Sequence, residues 1–144
     1  MAHTYTSNLV HCVFSTKERR PLVPAGRLGE LHAYFHGIAK GEGFPLLGAG
    51  GTANHAHLLF ALPASIALAQ AVQKLKGGSS RWLGRGFGWQ EGYGAFSVSP
   101  SQVPKVKAYI RNQREHHRKR SFEDEFIALL RKCGIPYDPR YVFG

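Results

Sequence analysis

Asn54-His55-Ala56-His57-Leu58-Leu59-Phe60 is the stretch on which the fold turns. It opens an apolar run over residues 55–62 that reads as a strand, and along a strand successive side chains point to opposite faces. His55 and His57 therefore share one face, while Ala56, Leu58 and Phe60 share the other. Two imidazoles side by side on a rigid strand can chelate one metal ion. The competing reading is a pair of structural histidines, because His-x-His alone is a weak signal.

Working outward toward the N-terminus, residues 44–49 read as a partner strand, joined to the histidine strand by a Gly48-Ala49-Gly50-Gly51-Thr52-Ala53 turn. These glycines permit a tight hairpin or bulge, and no Gly-Lys-Ser or Gly-Lys-Thr follows to make them a phosphate loop. Over residues 24–40, Leu28, Leu31, Phe35 and Ile38 recur at three- and four-residue spacing, the pattern of an amphipathic helix. Its His32 and His36 form an i, i+4 pair with no motif partner nearby and read as surface or packing residues. Residues 5–16 are rich in β-branched and aromatic types and read as the first strand.

Toward the C-terminus, Pro63 stops the strand and Ser65 can cap a helix whose buried side is Ile66, Ala69, Val72 and Leu75. Lys74, Lys76, Ser79, Ser80 and Arg81 then run with Gly77 and Gly78 through what reads as a glycine break. Cations, hydroxyls and backbone N–H groups together make a grip for a phosphate backbone; the alternative is a polar loop with Trp82 in the core. Residues 89–93 make a turn and 93–99 a fourth strand. Ser101 as cap and Pro104 in the first turn open a helix reaching Arg118. A last helix over 122–133 puts Phe126, Leu129 and Leu130 on one side and ends at Gly134. The tail over 135–144, with Tyr137, Tyr141 and Phe143, reads as an apolar strap.

The order β-α-β-β-α-β followed by two helices predicts a single α+β domain over residues 1–144 of the ferredoxin-like, RRM-like class. Its antiparallel sheet would carry helices on one face and leave the other open for the histidines.

At 144 residues and 43% hydrophobic composition the chain is long enough to bury one core. Its formal charge of +10 is clustered: Lys17, Arg19 and Arg20; Lys74, Lys76, Arg81 and Arg85; and Arg111, Arg114, Arg118, Lys119 and Arg120. Such a surface suits a polyanion, nucleic acid first. Cys12 and Cys133 lie far apart in apolar patterns, without a CxxC, and read as buried free thiols of a reducing cytoplasm. No apolar run reaches the ~18 residues of a membrane span, and no secretory leader opens the chain.

On the helix over 101–118, Tyr109 and Gln113 stand four residues apart and so share a face. Gln113 can add a neutral oxygen to the two imidazoles, leaving positions for phosphate and water around a hard cation such as Mg²⁺ or Mn²⁺; the imidazoles also suit Zn²⁺. A tyrosine that attacks a phosphodiester keeps the bond energy in a covalent phosphotyrosine, the requirement for rejoining strands.

Taken with Leu75-Lys76-Gly77-Gly78-Ser79-Ser80-Arg81, residues 89–99 (Trp89 to Ser99) and residues 109–117 (Tyr109 to His117), the histidine motif resembles that of the single-tyrosine HUH transposases of the smallest bacterial insertion sequences. The REP-associated tyrosine transposases are their domesticated relatives. The resemblance runs in the same order from Leu9 to the C-terminus. It implies an enzyme that cuts single-stranded DNA beside short hairpins, forming a 5′-phosphotyrosine and a free 3′-OH that later attacks to rejoin strands. By motif position the nucleophile would be Tyr109 and the ligands of Mg²⁺ or Mn²⁺ would be His55, His57 and Gln113. It further implies a homodimer, with Tyr109 able to complete the partner's site in trans, a bacterial cytoplasmic location, and neither an accessory ATPase nor a nucleotide cofactor. Lys17, Arg19, Arg20, Lys74, Lys76, Ser79, Ser80, Arg81, Arg111 and Arg114 are the candidate DNA contacts. Ala56 departs from the bulky apolar residue usual between the histidines, and the tail after His117 is closer to the insertion-sequence members than to the REP-associated branch. The alternative function is a non-catalytic or domesticated module that binds single-stranded nucleic acid on the same fold.

Overall fold

The computed structural model describes residues 3–144. Four strands, β1 (Leu9–Ser15), β2 (Leu46–Thr52), β3 (His55–Ala61) and β4 (Gly94–Val98), form one antiparallel sheet in the order β2-β3-β1-β4. Helix α1 (Leu28–Glu42) links β1 to β2, and α2 (Leu68–Leu83) links β3 to β4. The chain then closes with α3 (Val103–Arg111), α4 (Gln113–His116) and α5 (Phe122–Lys132). This is the ferredoxin-like arrangement, with a C-terminal helical addition.

Strand register sorts the side chains. Val13 and Ser15 pair with His57 and His55, Gly50 and Thr52 pair with the same two histidines from the other side, and His11 pairs with Phe96. Residues opposite each other share a face, so His11, Val13, His55, His57 and Phe96 lie together. Cys12, Phe14, Ala56, Leu58 and Phe60 lie on the other face, where Leu31 and Phe35 of α1 and Val72 and Leu75 of α2 close the main core.

The histidine face is not open. Val13 and Phe96 pack there against Phe122 and Leu130 of α5, with Tyr137 and Phe143 of the tail behind them, so the sheet is sandwiched between helical layers. Histidines in the centre of the face make it read as polar, but the Val13–Phe96 end is apolar and needs a cover. Of the tail aromatics, Tyr137 and Phe143 do strap this face, whereas Tyr141 is 67% exposed.

The glycines also fall elsewhere than the turn chemistry predicts. Gly48, Gly50 and Gly51 are inside β2, and the turn is Ala53-Asn54. A Cβ on Gly50 would stand 2.1 Å from the Ile110 carbonyl oxygen. Glycine here lets the last turn of α3 lie directly on the strand. Gly77 and Gly78 do not break α2: a Cβ on Gly78 would meet Ile38 at 2.8 Å, so this position sets how closely α1 and α2 approach. Helix α2 stops instead at Gly84, at φ +88°.

Neither serine predicted as a cap acts as one. Helix α2 begins after Ala67 without a side-chain cap, and α3 begins at Val103 behind a 3-10 turn over Pro100–Gln102. The single helix predicted to reach Arg118 is interrupted at Asn112 (φ −94°, ψ 19°), which separates α3 from α4. Cys12 is buried, and burial pushes its thiol up to about 12; Cys133 is exposed, against expectation. Among the described residues no helix is long and apolar enough to cross a membrane.

Candidate active site: a buried carboxylate ringed by histidines

His55 and His57 sit at the centre of the sheet, 2% and 0% exposed, and project toward the C-terminal helices. Their Nε2 atoms meet one group, the carboxylate of Glu125 on α5. His57 Nε2 lies 2.8 Å from Glu125 Oε1 and His55 Nε2 3.6 Å from the same oxygen. His117, just past α4, brings its Nε2 to 3.2 Å from it. Gln113 closes the ring, its Oε1 3.0 Å from His55 Nε2 and 2.9 Å from His117 Nε2, while its amide nitrogen donates to Glu125 Oε2 at 3.1 Å. Tyr109 donates its hydroxyl hydrogen to Glu125 Oε2.

The outer nitrogens of the imidazoles are also engaged. His55 Nδ1 is 2.9 Å from Asn54 Oδ1, His117 Nδ1 is 2.6 Å from the Arg120 carbonyl oxygen, and His57 Nδ1 is 2.8 Å from His11 Nε2. Ring orientation is thus set from outside the cluster, as it is around metal-ligating histidines. His116 Nε2 is 3.3 Å from Glu125 Oε2 without hydrogen-bond geometry, and it is buried and unpaired.

Electrostatics follow from burial and this ring. Burial lowers His55 to about 3, with the neighbouring His57 adding to the effect, and His11 falls to about 3 for the same two reasons. Burial works to raise Glu125, but hydrogen bonds from His117, His57 and Tyr109 outweigh it and hold the carboxyl far below its ordinary range. Burial, then the bond to and charge of Glu125, push the Tyr109 phenol well above its usual value. His117 is raised, since Glu125 outweighs its burial.

Of the residues singled out in the sequence, Tyr109, His55, His57 and Gln113 come together. Glu125, His117 and His11 complete the cluster and were not singled out. Glu125 follows the helix cap Ser121, which accepts from Asp124 N at 3.1 Å, so it reads as one more acid in a first turn beside Glu123 and Asp124. The available signal was its place: Glu125 is three residues from Phe122, on the apolar stripe.

The basic candidates divide. Arg114 lines a cleft of about 480 Å³ together with Asn54, His117, Arg118, Arg120 and the acidic Glu123, and of the cluster His117 alone lines it. Lys17, Arg20, Lys74, Arg81 and Arg111 are exposed and Ser80 is half-buried. Arg19 is tied to the tail, donating to the Phe143 carbonyl at 3.0 Å. Two candidates are otherwise committed. Ser79 is fully buried, donating to the Leu75 carbonyl at 2.6 Å and accepting from Trp89 Nε1 at 2.9 Å. Lys76 donates to the carbonyls of Gln90 and Gly92 at 2.6 and 2.8 Å. The phosphate grip predicted there is instead a clamp between α2 and the loop before β4, because α2 continues through the glycines and turns these residues inward. Trp82 is half-buried, stacked on Tyr34 at 4.9 Å between ring centres with Arg27 over its face.

The sequence over residues 4–113 matches the model of the family described as transposase IS200 like. The chain belongs to the IS200-like transposase family. As such it is a transposase, an enzyme class that cleaves DNA and transfers strands. Among solved structures, a candidate transposase from Deinococcus radiodurans is 22% identical, with a TM-score of 0.62 over 78% of this chain and 96% of that one. The REP-associated tyrosine transposase bound to a REP hairpin is 13% identical, with a TM-score of 0.63 over 81% of this chain and 73% of that one. At these identities the likeness concerns the fold. No curated protein sequence matches this transposase. The family match ends at Gln113, so His117, Glu125 and all of α5 lie beyond it.

Proposed function

We propose that this transposase nicks and rejoins single-stranded DNA at hairpin-flanked ends through a phosphotyrosine on Tyr109. The observation that carries the reading is convergence: the Tyr109 hydroxyl and the Nε2 atoms of His55 and His57 gather around one carboxylate. A nucleophile and a ligand set are therefore within reach of one phosphate.

The donor chemistry fits a divalent ion, since imidazole nitrogens and an amide oxygen converge with a carboxylate inside the protein. His55, His57 and Gln113 would hold it, and when bound a Mg²⁺ or Mn²⁺ ion supplies Lewis-acid polarisation of a phosphoryl oxygen. The remaining work belongs to side chains of this chain. Glu125 Oε2 orients the phenol, and the raised Tyr109 and lowered Glu125 keep the proton on the phenol at rest. Proton transfer to Glu125 therefore accompanies attack instead of preceding it. The phenolic oxygen bonds to phosphorus, the bond from phosphorus to the 3′ oxygen breaks, and that oxygen leaves as a 3′-OH after taking a proton from solvent. Attack by a 3′-OH on the phosphotyrosine reverses these steps and joins strands.

The cleft beside His117, with Arg114, Arg118 and Arg120, supports entry of a phosphate backbone from that side. Tyr109 lies at its own chain's histidines, 5.7 Å from the His57 ring. Cleavage in cis is therefore the arrangement we favour. A homodimer exchanging Tyr109 would require α3 to leave β2.

The test is incubation with labelled single-stranded hairpin DNA and Mg²⁺ or Mn²⁺, followed by a denaturing gel. We expect a covalent protein–DNA band from the native chain and none from Tyr109→Phe. An adduct persisting in the variant would refute the nucleophile. Absence of any adduct, with metal-independent hairpin binding, would instead mark a binding module.

A further inference from the structure

We infer that the metal centre of this chain also takes His117 Nε2 and Glu125 Oε1 as ligands, and that the enlarged donor set selects a late first-row transition ion over Mg²⁺. The inference rests on the metal-dependent reading above. One ligand atom from each of His55, His57, His117 and Glu125 lies within 4.8 Å of all the others.

Hydrogen-bond capacity makes the case. The Arg120 carbonyl and Asn54 Oδ1 can only accept, so His117 and His55 donate to them from Nδ1–H. Where these rings also bond Gln113 Oε1 and Glu125 Oε1, Nε2 carries a second proton; in the neutral imidazoles Nε2 carries a lone pair instead. Those lone pairs face Gln113 Oε1 and Glu125 Oε1, which are acceptors too. His57 can reach the same state because its Nδ1 abuts His11 Nε2. With the rings neutral, the only donors into this buried cluster are the Gln113 amide and the Tyr109 hydroxyl, both to Glu125 Oε2, and a cation at the centre takes the place of the ring protons.

The donor types then choose the ion. Mg²⁺ takes oxygen ligands in a near-octahedral shell and keeps several waters. Three imidazoles and one carboxylate are the preference of Zn²⁺, Co²⁺ and their neighbours, with affinity rising along that row as far as Cu²⁺. A dication with the Glu125 carboxylate leaves one net positive charge, suited to holding a phosphodiester. Both added ligands lie outside the family-matched segment, and the break at Asn112 and the first turn of α5 place them.

The full chain, without DNA, is titrated with Co²⁺ while visible absorption is read, then challenged with Zn²⁺ and Mg²⁺. One Co²⁺ per chain with the strong visible bands of low coordination is expected. Zn²⁺ should displace it near stoichiometry, and Mg²⁺ should fail at roughly 1,000-fold excess. His117→Ala and Glu125→Gln should each weaken Co²⁺ binding by at least about 10–100-fold and alter the spectrum. Circular dichroism checks folding, with His117→Gln and Glu125→Asp as replacements for any variant that does not fold. Unchanged affinity and spectrum in both variants, or displacement by Mg²⁺ at comparable concentration, would overturn the inference and leave a Tyr109 adduct standing. If the native chain binds no divalent ion at all, the metal-dependent reading fails with it.

Discussion

His11 stands one imidazole away from the ligand set, hydrogen-bonded to His57, and its ring also meets the Tyr109 ring edge-on at 6.1 Å between centres. Its Nε2 is 2.8 Å from His57 Nδ1, and both rings are buried and stacked at 5.1 Å between centres. Metal binding at His57 Nε2 requires the proton on Nδ1, and His11 is the acceptor that stabilises this tautomer. Replacing His11 with Phe should weaken Co²⁺ or Mn²⁺ affinity by about 10–100-fold, as loss of an orienting partner does. It should also cost about 1–3 kcal/mol for the buried nitrogen left unpaired. Metal titration and urea unfolding check the two effects, and unchanged metal affinity would make His11 a packing residue only. His11 escaped the sequence reading because it sits in an ordinary β-rich run, and its partner is 46 positions away.

Helices α3 and α5 hold the nucleophile and the carboxylate, and each depends on one local device. For α3 it is Gly50, where any side chain would collide with the Ile110 carbonyl, one residue beyond Tyr109. Gly50→Ala should lower stability by about 1–3 kcal/mol, the usual cost of overpacking. It should also reduce Tyr109 adduct formation by displacing the helix end. Urea midpoints and the gel assay read these outcomes; normal adduct yield in a destabilised variant would show that α3 keeps its place by other contacts. For α5 the device is Ser121, whose hydroxyl accepts from Asp124 N. Ser121→Ala should cost about 1 kcal/mol, typical of a lost helix cap, measurable as a lowered urea midpoint. Both helices were legible as helices from their apolar spacing, but the break at Asn112 was not. Nothing in that composition forbids a continuous helix; the break occurs where α3 lies against β2 at Gly50 and His117 meets Glu125.

Across the whole molecule the charge of +10 should make DNA binding strongly salt-dependent. Each phosphate contact to a single strand adds about 0.7 to the slope of log affinity against log salt. Arg114→Ala, in the cleft by His117, should reduce that slope by about this amount. Lys76→Ala should leave it unchanged and lower stability, because its ammonium is spent on two backbone carbonyls. Hairpin titrations at several salt concentrations separate the two, and equal slopes for both variants would mean the cleft is not the DNA path. The sequence by itself determined the element order, the shared face of His55 and His57, and the neighbourhood of Tyr109 and Gln113. The shared face follows from the period of two within one strand, and Tyr109 and Gln113 stay about one helical turn apart across the break at Asn112. Only the tertiary structure decided that the histidine face is covered, that Lys76 and Ser79 turn inward, and that Glu125 is the hub of the site. The reason is physical: a lone acid in a first helical turn is indistinguishable from a dipole-balancing one until the sheet it faces is known. Burial against three histidines from other elements then makes it the one anion they share.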